Sequence, residues 1–423
     1  MVVQEVTTQE MVVDLVKKFS DRWWSCSNEL PLIESTYSLR EQLAREKELS
    51  THLDELYAMM RRAQVIKDSG SDEQERLQSL TANVIKTSLG LGDRHIQAIL
   101  EYGFRDAVVD FFNMARRFDP QVRDEDIYQA IRNSTSMHLM QVLLGLPVEV
   151  TPSVFAFSML YPYSDNYLDD PSIAPEVKAA FNKRFRQRLE GYELSAANPY
   201  ERTIFELVGM IESQYSRTRY PRLFESLLAI HAAQVKSLEL VGEIVSPYEA
   251  DVLGTCMEKG GSSALADGYL VAGTLTPEQR DFVFFYGSFT QLMDDLEDVH
   301  NDLESGIMTV FSVTAQRWRL DGVTSRVFHF GSYLFDALET FHTPGLEPIK
   351  EMFSLVYYPI LIDSASVAGK FFTHPYLKKL QSHYPLRFSY LRKQRGRFRR
   401  RRQSLKLLLE SLAMYALTQP GFD

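Results

Sequence analysis

The stretch Gln291-Leu-Met-Asp-Asp-Leu-Glu-Asp-Val-His-Asn-Asp302 carries aspartates at intervals of four residues, Asp294, Asp298 and Asp302. On an α-helix, residues four apart are rotated by only about 40°, so the three carboxylates share a stripe roughly 12 Å long. Like charges at this spacing repel each other by about 0.2–0.5 kcal/mol per pair. A bound cation would relieve that repulsion. The alternative is an acidic helix face that water solvates.

A second acidic cluster lies upstream, in Tyr161-Pro-Tyr-Ser-Asp-Asn-Tyr-Leu-Asp-Asp170. Its Asp165 and Asp169 are again four residues apart, and they follow an apolar helical run that begins at Val154. Two aspartate-rich helix ends of this kind predict one composite site. Carboxylate oxygens suit Mg²⁺ or Mn²⁺, and Mg²⁺ is usually held by a few carboxylates together with substrate phosphates. The chemistry that fits is ionisation of a diphosphate ester, with the leaving diphosphate neutralised by metal.

The predicted metal ligands are therefore the aspartates of both clusters. Four of them are also predicted to be essential for catalysis, namely Asp165, Asp169, Asp294 and Asp298. The full ligand set adds one residue from each cluster, Asp170 and Asp302.

Helical periodicity, with Pro or Asp at many helix starts, predicts an all-α chain. Helices expected around the acidic clusters run from Pro152 to Leu168 and from Pro277 to Glu304. No segment alternates with period two between turn signals, so no sheet is expected. The clearest linker is Asp68-Ser-Gly-Ser-Asp72. We therefore predict a helical N-terminal extension over residues 1–75 and one all-α domain over residues 76–423.

Composition narrows the class of protein. The chain has 423 residues, a formal net charge of −10 and only two cysteines, Cys26 and Cys256, in no metal or redox spacing. The chain has no run of 18 apolar residues, so no membrane span is predicted. Its N-terminus lacks the basic and apolar regions of a signal peptide. We therefore expect a cytoplasmic protein. A mostly acidic chain also argues against nucleic acid as a partner.

One segment departs from this acidic character. Residues 387–402 hold nine of the 46 basic residues and no acidic one. Such a segment is expected to touch either the acidic body of the protein or anionic lipid at a membrane surface, and part of it could close over a bound diphosphate. Association with a second copy of the chain, as a homodimer, is a further alternative that the sequence leaves open.

The two acidic clusters together resemble the metal motifs of the all-α isoprenoid synthase superfamily. The closer similarity is to class I terpene synthases of the bacterial large-terpene type, typified by tetraprenyl-β-curcumene synthase. Asp165-Asn-Tyr-Leu-Asp-Asp170 resembles that family's Asp-x-Tyr-Leu-Asp-Asn motif, and Leu292 to Asp302 resembles its second aspartate-rich stretch. The similarity covers roughly residues 100–310. It departs at Asp170, where the family has Asn, and after Gly306, where the family's Asn is missing.

The resemblance implies a helical bundle around a central apolar cavity. It also implies a Mg²⁺-dependent enzyme that ionises a linear prenyl diphosphate, then cyclises or deprotonates the carbocation and releases diphosphate. A prenyl diphosphate synthase is disfavoured because Asp169-Asp170 is not followed by paired arginines. A head-to-head synthase of the squalene or phytoene type stays open. So does a non-enzymatic helical protein that binds partners through its acidic faces.

Further residues are candidates for binding the substrate. Lys236, Gln234 and Arg222 could receive the diphosphate, although the spacing around Gln234 and Lys236 departs from the family's, and Arg222 could equally lie in a solvated loop. Side chains upstream of the acidic clusters on the same helix faces could line the cavity, because aromatic rings stabilise cations. Ordinary core packing explains those aromatic residues equally well. The candidate cavity residues are Phe157, Tyr161, Phe284 and Gly287, the last expected to open space in a bulky helix.

Overall fold

A computed structural model of the chain describes residues 7–63, 71–169, 172–242 and 250–399. Within these ranges there is no β-strand, and extended pairing is limited to a single antiparallel bridge between Val241 and Ile307. The all-α prediction is confirmed. The helices are α1 (Thr8–Ser25), α2 (Leu39–Ala63), α3 (Ser71–Leu89), α4 (Asp93–Glu101), α5 (Phe104–Phe118), α6 (Asp124–Leu143), α7 (Pro152–Asp169), α8 (Pro175–Leu189), α9 (Pro199–Gln214), α10 (Pro221–Ser237), α11 (Val252–Ala272), α12 (Pro277–Ser305), α13 (Val310–Ala315), α14 (Asp321–Gly331), α15 (Tyr333–Leu338), α16 (Glu347–Val367), α17 (His374–Ser382) and α18 (Phe388–Arg399).

Contacts divide the chain into two compact units. Unit 1 comprises residues 1–30 and 119–344, and unit 2 comprises residues 31–118 and 345–423. This division differs from the predicted one, whose boundary at residue 75 falls within α3. The difference arises because α1 packs against α10, α11, α12 and α14, so the start of the chain supplies part of the core of unit 1.

Unit 1 is organised around α11, which packs against α1, α6, α7, α10 and α12. A helix with so many neighbours must be buried on nearly all sides, and only small side chains allow that many close approaches. Accordingly α11 is buried along most of its length and contains Gly260, Gly261, Ser262 and Ala264 within little more than one turn. It begins at Asp251, whose carboxylate caps the N–H of Gly254, and ends at Gly273 with φ of 73°.

The boundaries of α12 follow from local chemistry. Thr276 and Gln279 form a capping box, with Pro277 in the first turn. The helix ends at Gly306, whose φ of 68° places it in the left-handed region that favours glycine. The N–H of Gly306 donates to the carbonyl of Asp302, closing the last turn. The predicted start at Pro277 is confirmed.

Unit 2 contains α2–α5 and α16–α18. Two basic side chains of the predicted 387–402 segment form ion pairs inside it. Arg387 makes a bidentate pair with the buried carboxylate of Glu46, and Arg395 pairs with Asp363 at 2.6 Å. These two residues therefore contact acidic groups of the protein, one of the two outcomes expected for this segment; residues 400–402 lie outside the described ranges. Contact with a membrane or with a second copy stays a prediction. No described helix is long and apolar enough to cross a bilayer.

Candidate active site

The acidic stripe of α12 is only partly exposed. The side chains of Asp294 and Asp298 are exposed, whereas Asp302 is 8% exposed and accepts a 3.4 Å hydrogen bond from the Thr309 hydroxyl. The reason is geometric: a rotation of about 40° at each step carries the third carboxylate about 80° from the first, towards α13. Burial, with repulsion from Asp298, raises the pKa of Asp302 to about 6.

Asp295 is the carboxylate of this region that sequence reasoning missed. It is 5% exposed and accepts a 2.8 Å hydrogen bond from Gln291 at Oδ1, while its Oδ2 has no hydrogen-bond partner within the described ranges. Burial raises its pKa to about 7, while the hydrogen bond from Gln291 and the neighbouring Cys256 side chain lower it. The signal was present in the sequence, because residues 292, 296 and 299 define the buried face of α12 and position 295 lies between them.

The first acidic cluster lies at the end of α7. The side chains of Asp165 and Asp169, and all of Asp170, fall outside what the structure describes. The backbone register of α7 is nevertheless defined by its contacts with α11. The Ser153 hydroxyl donates to the carbonyl of Leu270 at 2.9 Å, and the Tyr161 and Ser263 hydroxyls are hydrogen-bonded. As the numbering rises in α7 it falls in α11, so the two helices are antiparallel.

Helix α12 is antiparallel to α11 as well. Gly287 lies against Gly260, while the Ser288 hydroxyl donates to the carbonyl of Met257 at 3.0 Å. Both α7 and α12 therefore run towards the N-terminal end of α11. Extending the register of α7 by four residues brings the backbone of Asp165 to about the level of Lys259. The two aspartate-rich segments thus lie towards the same end of unit 1.

A small pocket beside α7 is partly open to solvent. It lies between α7, α8 and α10, and three predicted residues line it: Phe157, Tyr161 and Gln234. Ser164 and Gln234 mark the end nearest to the aspartates of α7, and most of the remaining lining is apolar. Those further lining residues are Leu160, Phe185, Leu189, Leu227, Ile230 and His231.

The other two predicted cavity residues pack against helices instead. A Cβ atom on Gly287 would lie 2.2 Å from the carbonyl oxygen of Gly260, so this glycine allows α11 and α12 to touch and does not open space. Phe284 is fully buried, lies over Gly261 and stacks on Phe19 with ring centroids 6.1 Å apart. Neither residue lines the described pocket, because the volume expected there is occupied by α11 and α1.

Of the predicted diphosphate-binding cations, one lies at the acidic end and one does not. Lys236 Nζ is 2.6 Å from Glu258 Oε2, near the start of α11. Arg222 precedes Lys236 by fourteen residues on the same helix, which corresponds to about 21 Å at 1.5 Å per residue. Its charge acts on Tyr269, near the opposite end of α11. Arg222 therefore lies away from the acidic end, and its predicted role in binding diphosphate stays a prediction.

A buried polar group on α11 was also missed from sequence. Asp267 is 3% exposed, and Asn133 Nδ2 lies 3.5 Å from its Oδ1 and 3.2 Å from the Ser158 hydroxyl. Burial raises the pKa of Asp267 well above its ordinary value. It also raises the pKa of Tyr286, to which the carboxylates of Asp267 and Asp294 contribute. An aspartate in the second half of α11, where residues 260–271 are otherwise small or apolar apart from Tyr269, was the available signal.

The donor set at the acidic end fits a hard cation. Asp294 and Asp298 offer exposed carboxylate oxygens one turn apart, and Mg²⁺ is commonly bound through one or two carboxylates plus water and phosphate. No group of three His, Cys, Asp or Glu side chains placed to hold a metal occurs among the described residues, from which the carboxylates of α7 are left out. The expected metal site therefore stays a prediction.

Comparison with known proteins found no counterpart. No protein-family model matches the chain. Searches of curated proteins and of solved structures likewise gave no match.

Proposed function

We propose that this protein is a class I terpene synthase that ionises a linear prenyl diphosphate. The observation that carries the proposal is the parallel arrangement of α7 and α12 across α11, which directs both aspartate-rich segments to one end of unit 1. The pocket lined by Phe157 and Tyr161 adds support, because its polar end, at Ser164 and Gln234, lies towards that same end of unit 1. Together these features would hold a charged head group beside an apolar chain.

In this mechanism the carboxylates of Asp294 and Asp298, with those of Asp165, Asp169 and Asp170, would hold the metal. Bound Mg²⁺ would supply the positive charge that makes diphosphate a good leaving group. Lys236 would release its contact with Glu258 and donate hydrogen bonds to the oxygens of the departing diphosphate. Phe157 and Tyr161 would flank the carbocation, where aromatic faces stabilise positive charge and the apolar lining excludes water.

The first test is turnover. Purified protein with Mg²⁺ is incubated with each linear prenyl diphosphate from about ten to thirty-five carbons, with and without isopentenyl diphosphate. Release of diphosphate and formation of hydrocarbons without isopentenyl diphosphate is the expected result. Chain elongation with isopentenyl diphosphate would instead assign a prenyl diphosphate synthase. Joining of two allylic substrates would assign a head-to-head synthase.

Variants distinguish an enzyme from a protein with a merely acidic surface. Asp298→Asn and Asp165→Asn are expected to lower turnover on the order of 10²-fold or more, because each removes charge that acts on the leaving group. Asp281→Asn is the matched control, since Asp281 lies at the other end of α12 and pairs with Lys18. Saturating Mg²⁺ and pyrophosphate should raise the melting temperature of the wild type more than that of Asp298→Asn. Equal shifts, with no turnover, would support the non-enzymatic alternative.

A further inference from the structure

His231 is a buried polar side chain among the apolar residues that line the pocket. It lies on α10, is 7% exposed, and stands edge-on to the Phe185 ring with centroids 5.5 Å apart. A buried polar atom without a hydrogen-bond partner costs about 1–3 kcal/mol, so such atoms are rarely retained without a use.

The hydrogen bonding of His231 determines its tautomer. The ring donates to the backbone carbonyl of Asn182, whereas Nε2 has no partner in the described ranges. Nδ1 therefore carries the proton, and the lone pair of the buried Nε2 accepts no hydrogen bond within the described ranges. Burial lowers the pKa of His231, and the nearby Arg186 lowers it further, against Asn182 and the carboxylate of Glu190. The imidazole is thus neutral, and Nε2 is the ring nitrogen that carries no proton.

We propose that His231 Nε2 is the base that removes the proton ending the carbocation reaction in this pocket. The proposal rests on the proposed function and names a catalytic residue for it. Among the residues lining the pocket, Ser164, Tyr161 and Gln234 are weaker bases than a neutral imidazole. Position 231 is about one turn deeper than Gln234 on α10, which suits contact with the hydrocarbon part of the substrate.

The step balances without another reactant. A C–H bond adjacent to the cationic carbon breaks, its electron pair forms the C=C bond of the product, and the proton passes to Nε2. The resulting imidazolium keeps its Nδ1–H bond to Asn182 and loses the Nε2 proton to water when the product leaves. Ionisation of the diphosphate precedes this step and does not involve His231.

The experiment compares wild type with His231→Gln and His231→Leu on the substrate that the wild type consumes. Diphosphate release should stay within about threefold, while the wild-type olefin falls tenfold or more and alcohols or other isomers replace it. A purely structural role would change rate and stability but leave the product ratio unaltered. His138→Gln is the matched control, because His138 is a buried histidine of α6, bonded to Gln141 and outside the pocket lining.

The outcomes separate the two proposals. Unchanged products in both His231 variants, with diphosphate still released, would overturn the role of His231 and leave the enzyme assignment standing. No diphosphate release by the wild type would overturn both. If neither variant folds, the wild type is tested by ¹⁵N NMR with a prenylammonium salt plus pyrophosphate and Mg²⁺. A changed His231 Nε2 resonance is then expected, and an unchanged one would refute the contact.

Discussion

Two aspartates adjacent in the sequence, Asp294 and Asp295, have opposite environments. Asp294 is exposed on the stripe that would bind metal, whereas Asp295 is buried beside Cys256 and Gln291. One residue along a helix is a rotation of about 100°, which is enough to move a carboxylate from solvent into the core. At the residue scale, therefore, the local acidic composition does not identify the carboxylates available to a ligand.

The buried carboxyl group of Asp295 predicts that the stability of the protein depends on pH. Its pKa is about 7 in the folded protein and about 3.9 in an unfolded chain, so the folded state binds more protons between these values. Stability should fall as pH rises from about 4 to 7, and Asp295→Asn should reduce that fall and stabilise the protein at pH 8 by about 2–4 kcal/mol. Urea unfolding in EDTA measures this.

The control for that measurement is Asp281→Asn, on the same helix but about one-third exposed. It should change stability by less than about 1 kcal/mol, as surface ion pairs do. An Asp295→Asn protein that keeps the full wild-type pH dependence would show that this carboxyl does not titrate as its burial requires.

At the scale of elements, the contact between α11 and α12 is set by two glycines. Gly260 and Gly287 face each other so closely that either Cβ would meet the other's carbonyl oxygen at 2.2–2.3 Å. This close approach aligns α12 against α11. It therefore sets the position of the acidic segment of α12 relative to α11. The aromatic residues around Gly287 then fill the space on either side of the contact, as Phe284 does over Gly261.

Gly287→Ala should therefore push the two helices apart. We expect a loss of about 1–3 kcal/mol or more in the free energy of unfolding, because the obstacle is backbone that cannot rotate away. Gly209→Ala in α9 is the matched control, since its Cβ would meet only the end of Arg188 at 3.9 Å. That change should be neutral or stabilise by up to about 1 kcal/mol. Equal stabilities of the two variants in chemical denaturation would contradict the close contact.

At the scale of the whole molecule, the N-terminal helix belongs to the core of unit 1. Phe19 contacts Phe284 and Phe285, and Trp23 contacts Phe330 edge-on with centroids 5.6 Å apart. The segment predicted to be an extension therefore contributes to the packing that holds α12 in place. Its removal would expose apolar surface on the helices that carry the candidate site.

Two adjacent tryptophans test this contribution. Trp23 is 2% exposed and Trp24 is 67% exposed. Trp23→Ala should destabilise the protein by about 3–5 kcal/mol, the usual cost of a large buried truncation. Trp24→Ala should cost less than about 1 kcal/mol, since it loses mainly a surface contact with Arg326. Thermal unfolding of the two variants tests whether α1 packs in the core of unit 1. Similar melting temperatures would place α1 outside that core.

The sequence by itself determined what depends on neighbours along the chain. The helical class, the start of α7 at Pro152, and the limits of α12 between Pro277 and the turn at Gly306 follow from periodicity, capping and proline geometry. The four-residue spacing of the aspartates likewise required no tertiary information. These properties are local because a helix satisfies its backbone hydrogen bonds within a few residues.

Only the tertiary structure decided which side chains meet. It paired Lys236 with Glu258, turned Asp302 towards Thr309, and placed α11 where Gly287 had suggested open space. It also joined residues 1–30 to residues 119–344. Such contacts depend on the rotation and spacing of whole helices, and helical periodicity shows that a face is buried without showing what covers it.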